Sequence, residues 1–176
     1  MLLSAVFFTL LLAATEPLLE VPPSCDLVAV SPWASAGEGY RAQAMIDGDI
    51  CAEAHLTLAL VSPSGRALYE KDFGGTASVR RFYGVPGPAE MQKELEAWIE
   101  QIGDKPARSS ALPDWPDGAA VPEMFEPDAG LSVAAWRALR AADRPLFCFD
   151  DAPGYQSCVA LGADGEIAEI GRRATR

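Results

Sequence analysis

The chain has 176 residues, with 25 Asp and Glu against 14 Lys and Arg, and a formal net charge of −11. A field of that sign repels nucleic-acid phosphates and anionic lipid surfaces, which sets nucleic acid aside as a partner and favours a basic partner if it favours any. A hydrophobic content of 49% supports a packed core, and a single histidine excludes multi-histidine zinc sites.

In chain order, residues 2–14, LLSAVFFTLLLAA, carry no charge and no helix breaker. The run matches the apolar core of a secretory signal and is shorter than the roughly 20 residues of a spanning helix. Residues 1–15 therefore read as a signal peptide or short N-terminal apolar segment, with cleavage expected near Ala14 or Thr15 and no stable membrane span. Periplasmic or secreted localisation follows. Four cysteines, an even set, then fit two disulfides in an oxidising compartment. Residues 25–171 read as one domain.

A first strand is expected at Asp26–Val30. Residues 40–73 alternate with period two and break at two turn signals, which predicts a three-stranded antiparallel meander. A three-residue turn at Asp47-Gly48-Asp49 sets Ile46 opposite Ile50, Ala44 opposite Ala52, Ala42 opposite Ala54 and Tyr40 opposite Leu56. Leu58 and Leu60 continue that apolar side. Ser62-Pro63-Ser64-Gly65 leads into the third strand, Arg66–Phe73. Cys51 falls on the opposite, outer face, where a bond to Cys25 would tie the first strand to the meander.

His55 is placed on that outer face with Glu53 and Thr57. Side chains two apart on a strand point the same way, so Glu53 and His55 form a candidate acid/base pair or half a metal site; the alternative is a solvated sheet face. A short strand is expected at Ser78–Tyr83. Arg80 and Arg81, with Arg172 and Arg173, can hold an anion such as a carboxylate, or are plain surface charges.

Residues 88–102 place Met91, Leu95, Trp98, Ile99 and Ile102 on one helical stripe, with Pro88 at the start and Gly103 past the end. Residues 103–130 form a loop with five prolines. A loop this long is either functional or loosely ordered. Its Trp115, Met124 and Phe125 either pack down onto the core or form a contact patch for a partner. A second helix is expected over residues 131–143, with Trp136 and Leu139 as buried anchors, ending before Pro145.

In LFCFDDAPGYQSCVAL, residues 146–161, placing Cys148 opposite Cys158 also sets Phe147 opposite Val159, with Phe149 and Leu161 on the same face. One antiparallel register thus satisfies both a disulfide and the apolar pattern. Nine intervening residues do not suit a redox dithiol, and Asp150 and Asp151 lack the alternating oxygens of a calcium loop, so they read as turn residues. Asp164-Gly165 signals a last hairpin between residues 159–162 and 166–170. No nucleophile elbow, phosphate loop or dinucleotide fingerprint is present, and no cofactor or metal is expected.

Ser64-Gly65-Arg66-Ala67-Leu68-Tyr69 resembles the Ser-Gly-x-x-Tyr loop of small secreted bacterial lysozyme inhibitors, with one residue more before the tyrosine. The resemblance implies inhibition of a basic cell-wall hydrolase. The fold expected is α+β: an antiparallel sheet of meander and C-terminal hairpins, one amphipathic helix on one face, a second short helix, and disulfide staples. The function expected is a non-catalytic binding or envelope-interaction domain. The alternatives are a periplasmic hydrolase using Glu53 and His55 and a lysozyme-inhibitor-like protein.

Overall fold

The computed structural model describes residues 24–103 and 107–175. The apolar leader and its expected cleavage site lie outside them. Among the described residues the fold is α+β, with two antiparallel sheets, two α-helices and two disulfides.

The first sheet has the order β1-β2-β3-β4, from β1 (Leu27–Pro32), β2 (Arg41–Asp47), β3 (His55–Val61) and β4 (Ala67–Asp72). The meander is present, but Ile46 lies opposite Leu56, Ala44 opposite Leu58 and Ala42 opposite Leu60. The expected register is therefore corrected: residues 48–54 form a wide turn instead of starting the strand. The Cys25 amide donates to the Gly48 carbonyl (2.7 Å), and the Glu53 amide donates to that of Ile50 (2.9 Å). Those bonds and the Cys25–Cys51 disulfide hold the turn open. The displacement is even, so the side chains within β2 and β3 keep the face their pattern assigned, whereas Ile50 and Ala52, expected on the apolar side, lie exposed in the turn. Both cysteines belong to the main core, which places this bond inside the molecule rather than on the outer face.

Residues 78–83 form no strand. Two 3-10 turns, Thr76–Ser78 and Arg80–Phe82, occupy this stretch. The Thr76 hydroxyl donates to the Cys51 carbonyl (2.6 Å), anchoring the segment to the wide turn. Val79 and Phe82, three apart, are the side chains that enter the core, the eclipsed spacing of a 3-10 turn.

Helix α1 (Pro88–Gly103) buries Met91, Leu95, Trp98 and Ile99 and half-buries Ile102. The second sheet, in the order β5-β7-β8-β9-β6, combines β5 (Ala107–Arg108), β6 (Phe125–Pro127), β7 (Pro145–Ala152), β8 (Tyr155–Leu161) and β9 (Ile167–Ala174). Cys148 lies opposite Cys158 and Phe147 opposite Val159, as the hairpin sequence requires. The strands thus divide between two sheets. Phe149 reaches the first sheet through a ring contact with Tyr69 of β4 (6.1 Å), and Phe147 meets Trp33, the residue that follows β1 (5.7 Å).

The other face of β7 and β8, carrying Leu146, Cys148, Cys158 and Ala160, belongs to a second core with Trp136 from α2 (Val133–Ala141). The Ser132 hydroxyl caps α2 by accepting from the Ala135 amide (3.2 Å). Burial on both faces explains why residues 146–149 read as an unbroken apolar run rather than an alternation.

Candidate functional site

The second core is built where the proline-rich loop folds back over the second sheet. Phe125, almost fully buried, meets the Trp136 ring at 4.8 Å, and Trp115 meets it at 6.1 Å. Their indole N–H groups are satisfied by loop carbonyls: Trp136 donates to Pro113 (2.9 Å) and Trp115 to Ala119 (2.9 Å). Arg137 of α2 donates to the Trp115 carbonyl (3.1 Å) and the Asp117 carboxylate (2.6 Å), and Arg140 pairs with Asp114. The Ser109 hydroxyl donates to the Leu139 carbonyl and accepts from the Arg144 amide, both at 2.6 Å. Within the described part of the loop, a row of hydrogen bonds from α2 supplies the order that periodicity does not.

Between this loop and the edge of the second sheet lies a hollow of about 270 Å³. Its apolar lining includes Leu112, Phe125, Leu146 and Cys148, with Met124 at the lip. Met124 is partly exposed and adopts a left-handed backbone (φ 56°), an uncommon conformation for a side-chain-bearing residue. The charged groups lining the hollow are Arg108, Glu123 and Arg173. Arg108 is committed, donating to Asp143 (3.1 and 3.2 Å) and to the Ser35 carbonyl (3.1 Å). Arg173 donates through Nε to Gln156 (2.8 Å), and its terminal nitrogens have no hydrogen-bond or ion-pair partner among the described residues. Partial burial lowers the Arg173 pKa, and the nearby Asp150 carboxylate opposes this. The Ser110 hydroxyl and the Arg108 guanidinium hold the Asp143 carboxyl below its ordinary range.

The loop candidates thus meet in one place, with Phe125 in the floor, Met124 at the lip and Trp115 behind Trp136. Glu53 and His55 do not join them. Glu53 sits in the wide turn, His55 begins β3 opposite Asp47, both are exposed, and no hydrogen bond or ion pair links them among the described residues. Tyr69 of the Ser64–Tyr69 stretch lies in β4, and its hydroxyl donates to Glu169 (2.7 Å) on the second sheet. Burial and the Glu169 carboxylate raise its pKa. Arg172 pairs with Asp151 (2.7 Å), a residue that lines one cleft together with Arg80 and Arg81. Among the described residues no group of three or more His, Cys, Asp or Glu is placed to hold a metal ion, and no helix is long and apolar enough to cross a membrane.

Sequence reasoning did not find Arg108, Leu112 or Leu146 as site residues. The available signal was the unbroken apolar run at 146–149, which requires a cover for the second face of β7. No family model, curated protein or solved structure matches the chain.

Proposed function

We propose that the protein is a non-catalytic binding domain of an oxidising compartment, periplasmic or extracellular, and that the hollow beneath its proline-rich loop binds an apolar group ending in an acid. The observation that carries this reading is an apolar floor beside a guanidinium whose terminal nitrogens have no hydrogen-bond or ion-pair partner among the described residues. On a chain of net charge −11 such a spot is the exception, and it selects an anionic head where the rest of the surface repels one. Two intramolecular disulfides support the compartment.

A hollow of about 270 Å³ has room for roughly nine water volumes at ~30 Å³ each, the scale of a short alkyl chain. Each methylene transferred from water contributes about 0.8 kcal/mol. Octanoate is therefore expected to bind and to change the fluorescence of Trp115 and Trp136. Octanol, of the same length without the charge, is expected to bind about tenfold more weakly, a difference of roughly 1.4 kcal/mol. Arg173→Gln should remove that difference. Equal binding of the two ligands by the unaltered protein, or no binding of octanoate, overturns the proposal.

A further inference from the structure

We infer a second site, independent of the first, that binds a free α-amino acid in the cleft between the tip of the β7–β8 hairpin and the Thr76–Phe82 turns. It is built around Asp151, whose side chain is only 3% exposed. Oδ2 of Asp151 accepts from the Ser157 hydroxyl (2.5 Å) and from Nε and Nη2 of Arg172 (3.1 and 2.7 Å). Oδ1 of the same carboxylate is buried and accepts no hydrogen bond from any described residue. A polar oxygen withdrawn from water without a donor is costly, and folded proteins seldom leave one so.

Asp151 lines a cleft of about 160 Å³ whose other wall is Ser78–Arg81. Of the two arginines there, Arg81 is committed to Glu94 (2.8 Å) and Gln101 (2.8 Å). Arg80 is exposed and has no hydrogen-bond or ionic partner among the described residues. The cleft therefore has a guanidinium lacking an acceptor on one wall and, buried in the Asp151 side of the other, a carboxylate oxygen lacking a donor.

A ligand carrying only an ammonium meets Arg80 unfavourably, and one carrying only a carboxylate meets Asp151 unfavourably. A zwitterion with both groups on one carbon satisfies the two together. The cleft holds about five water volumes at ~30 Å³ each, the size of an amino-acid head group. A neighbouring hollow of about 250 Å³ shares Ser78, Arg80 and Pro153 with it and is bordered by Tyr83, 78% exposed. That ring offers a face for the ligand's side chain. Because Oδ1 is closed off from solvent, an ammonium reaches it only with a local shift of the surrounding residues, so the amides of the hairpin tip that lines the cleft report binding.

The test is a titration of the isotope-labelled protein followed by amide NMR shifts, with L-phenylalanine, 3-phenylpropionate (no ammonium) and phenethylamine (no carboxylate) as probes. L-Phenylalanine is expected to shift the amides of residues 78–83 and 151–154 saturably, and each analogue to bind about tenfold more weakly or worse. Arg80→Gln, at an exposed side chain with no structural partner, and Asp151→Asn should each weaken L-phenylalanine about tenfold. The proposal is overturned if L-phenylalanine gives no saturable shift up to about 10 mM, where an affinity of only a few kcal/mol registers. It is also overturned if either analogue binds as well, if Arg80→Gln has no effect, or if the shifts fall on residues 107–125, which would place the ligand beneath the loop.

Discussion

Trp136 is the residue on which the second core turns, since Phe125 and Trp115 both pack on its ring and its indole N–H is satisfied within the loop. Trp136→Ala is expected to cost about 3–5 kcal/mol in urea unfolding, the range for losing a large buried aromatic. Gly171 is constrained by backbone instead. It lies opposite Pro127 at φ 126°, and an added Cβ would drive into the Glu126 carbonyl oxygen and the Pro127 backbone. Gly171→Ala should therefore destabilise by at least about 1–3 kcal/mol, the scale of a strained backbone position, and should detach β6 first. Asp143 gives the pH response of the loop tether. Its carboxyl is held below the unfolded value by Ser110 and Arg108, so the tether is intact above pH ~4 and is lost as pH falls below that. The protection factors of amides 108–112, corrected for intrinsic exchange at each pH, should fall below pH ~4 while those of β2 and β3 are unchanged.

Among the elements, the β7–β8 hairpin was legible because two demands, a cysteine pair and an apolar pattern, agree on one register. The β2–β3 pairing was legible in its faces but not in its offset. Alternation fixes which side chains point inward and is blind to an even slip, and the wide turn that sets the offset is held by Cys25, a residue distant in sequence. The Thr76–Phe82 stretch was misread for a related reason, since its anchor is the Thr76 bond to Cys51. The short strands β5 and β6 are added to the sheet edges from inside the loop by pairing with β7 and β9, and two or three residues carry no period of their own. The staple at the hairpin closes the shorter loop, with a sequence separation of 10 against 26 for Cys25–Cys51. In the chain-entropy picture these separations correspond to about 2.7 and about 3.5 kcal/mol. Replacing Cys148 and Cys158 by Ala together should lower unfolding free energy by about 2–3 kcal/mol, with the larger loss for Cys25 and Cys51; the opposite order in urea melts would contradict this reading of the staples.

At the scale of the whole molecule, one packed surface joins the two sheets and another fastens the proline-rich loop to the second sheet. The candidate site lies where that second surface reaches the sheet edge. Phe125, Met124 and Trp115 stood out in the sequence because apolar groups in a polar loop need a destination; Arg173 was named as a candidate anion holder but grouped with Arg80, Arg81 and Arg172, and Arg108 was missed, because Arg108 and Arg173 are far apart in the chain and only the second sheet gathers them. The most direct measurement of the proposed function is a set of NMR contacts between the methyl end of bound octanoate and the protein. The account predicts contacts from that methyl to Leu112, Phe125 and Leu146, with the carboxylate end near Arg173. Contacts instead to the exposed Val28 and Val30 of β1, or none that survive dilution of the ligand, would contradict it.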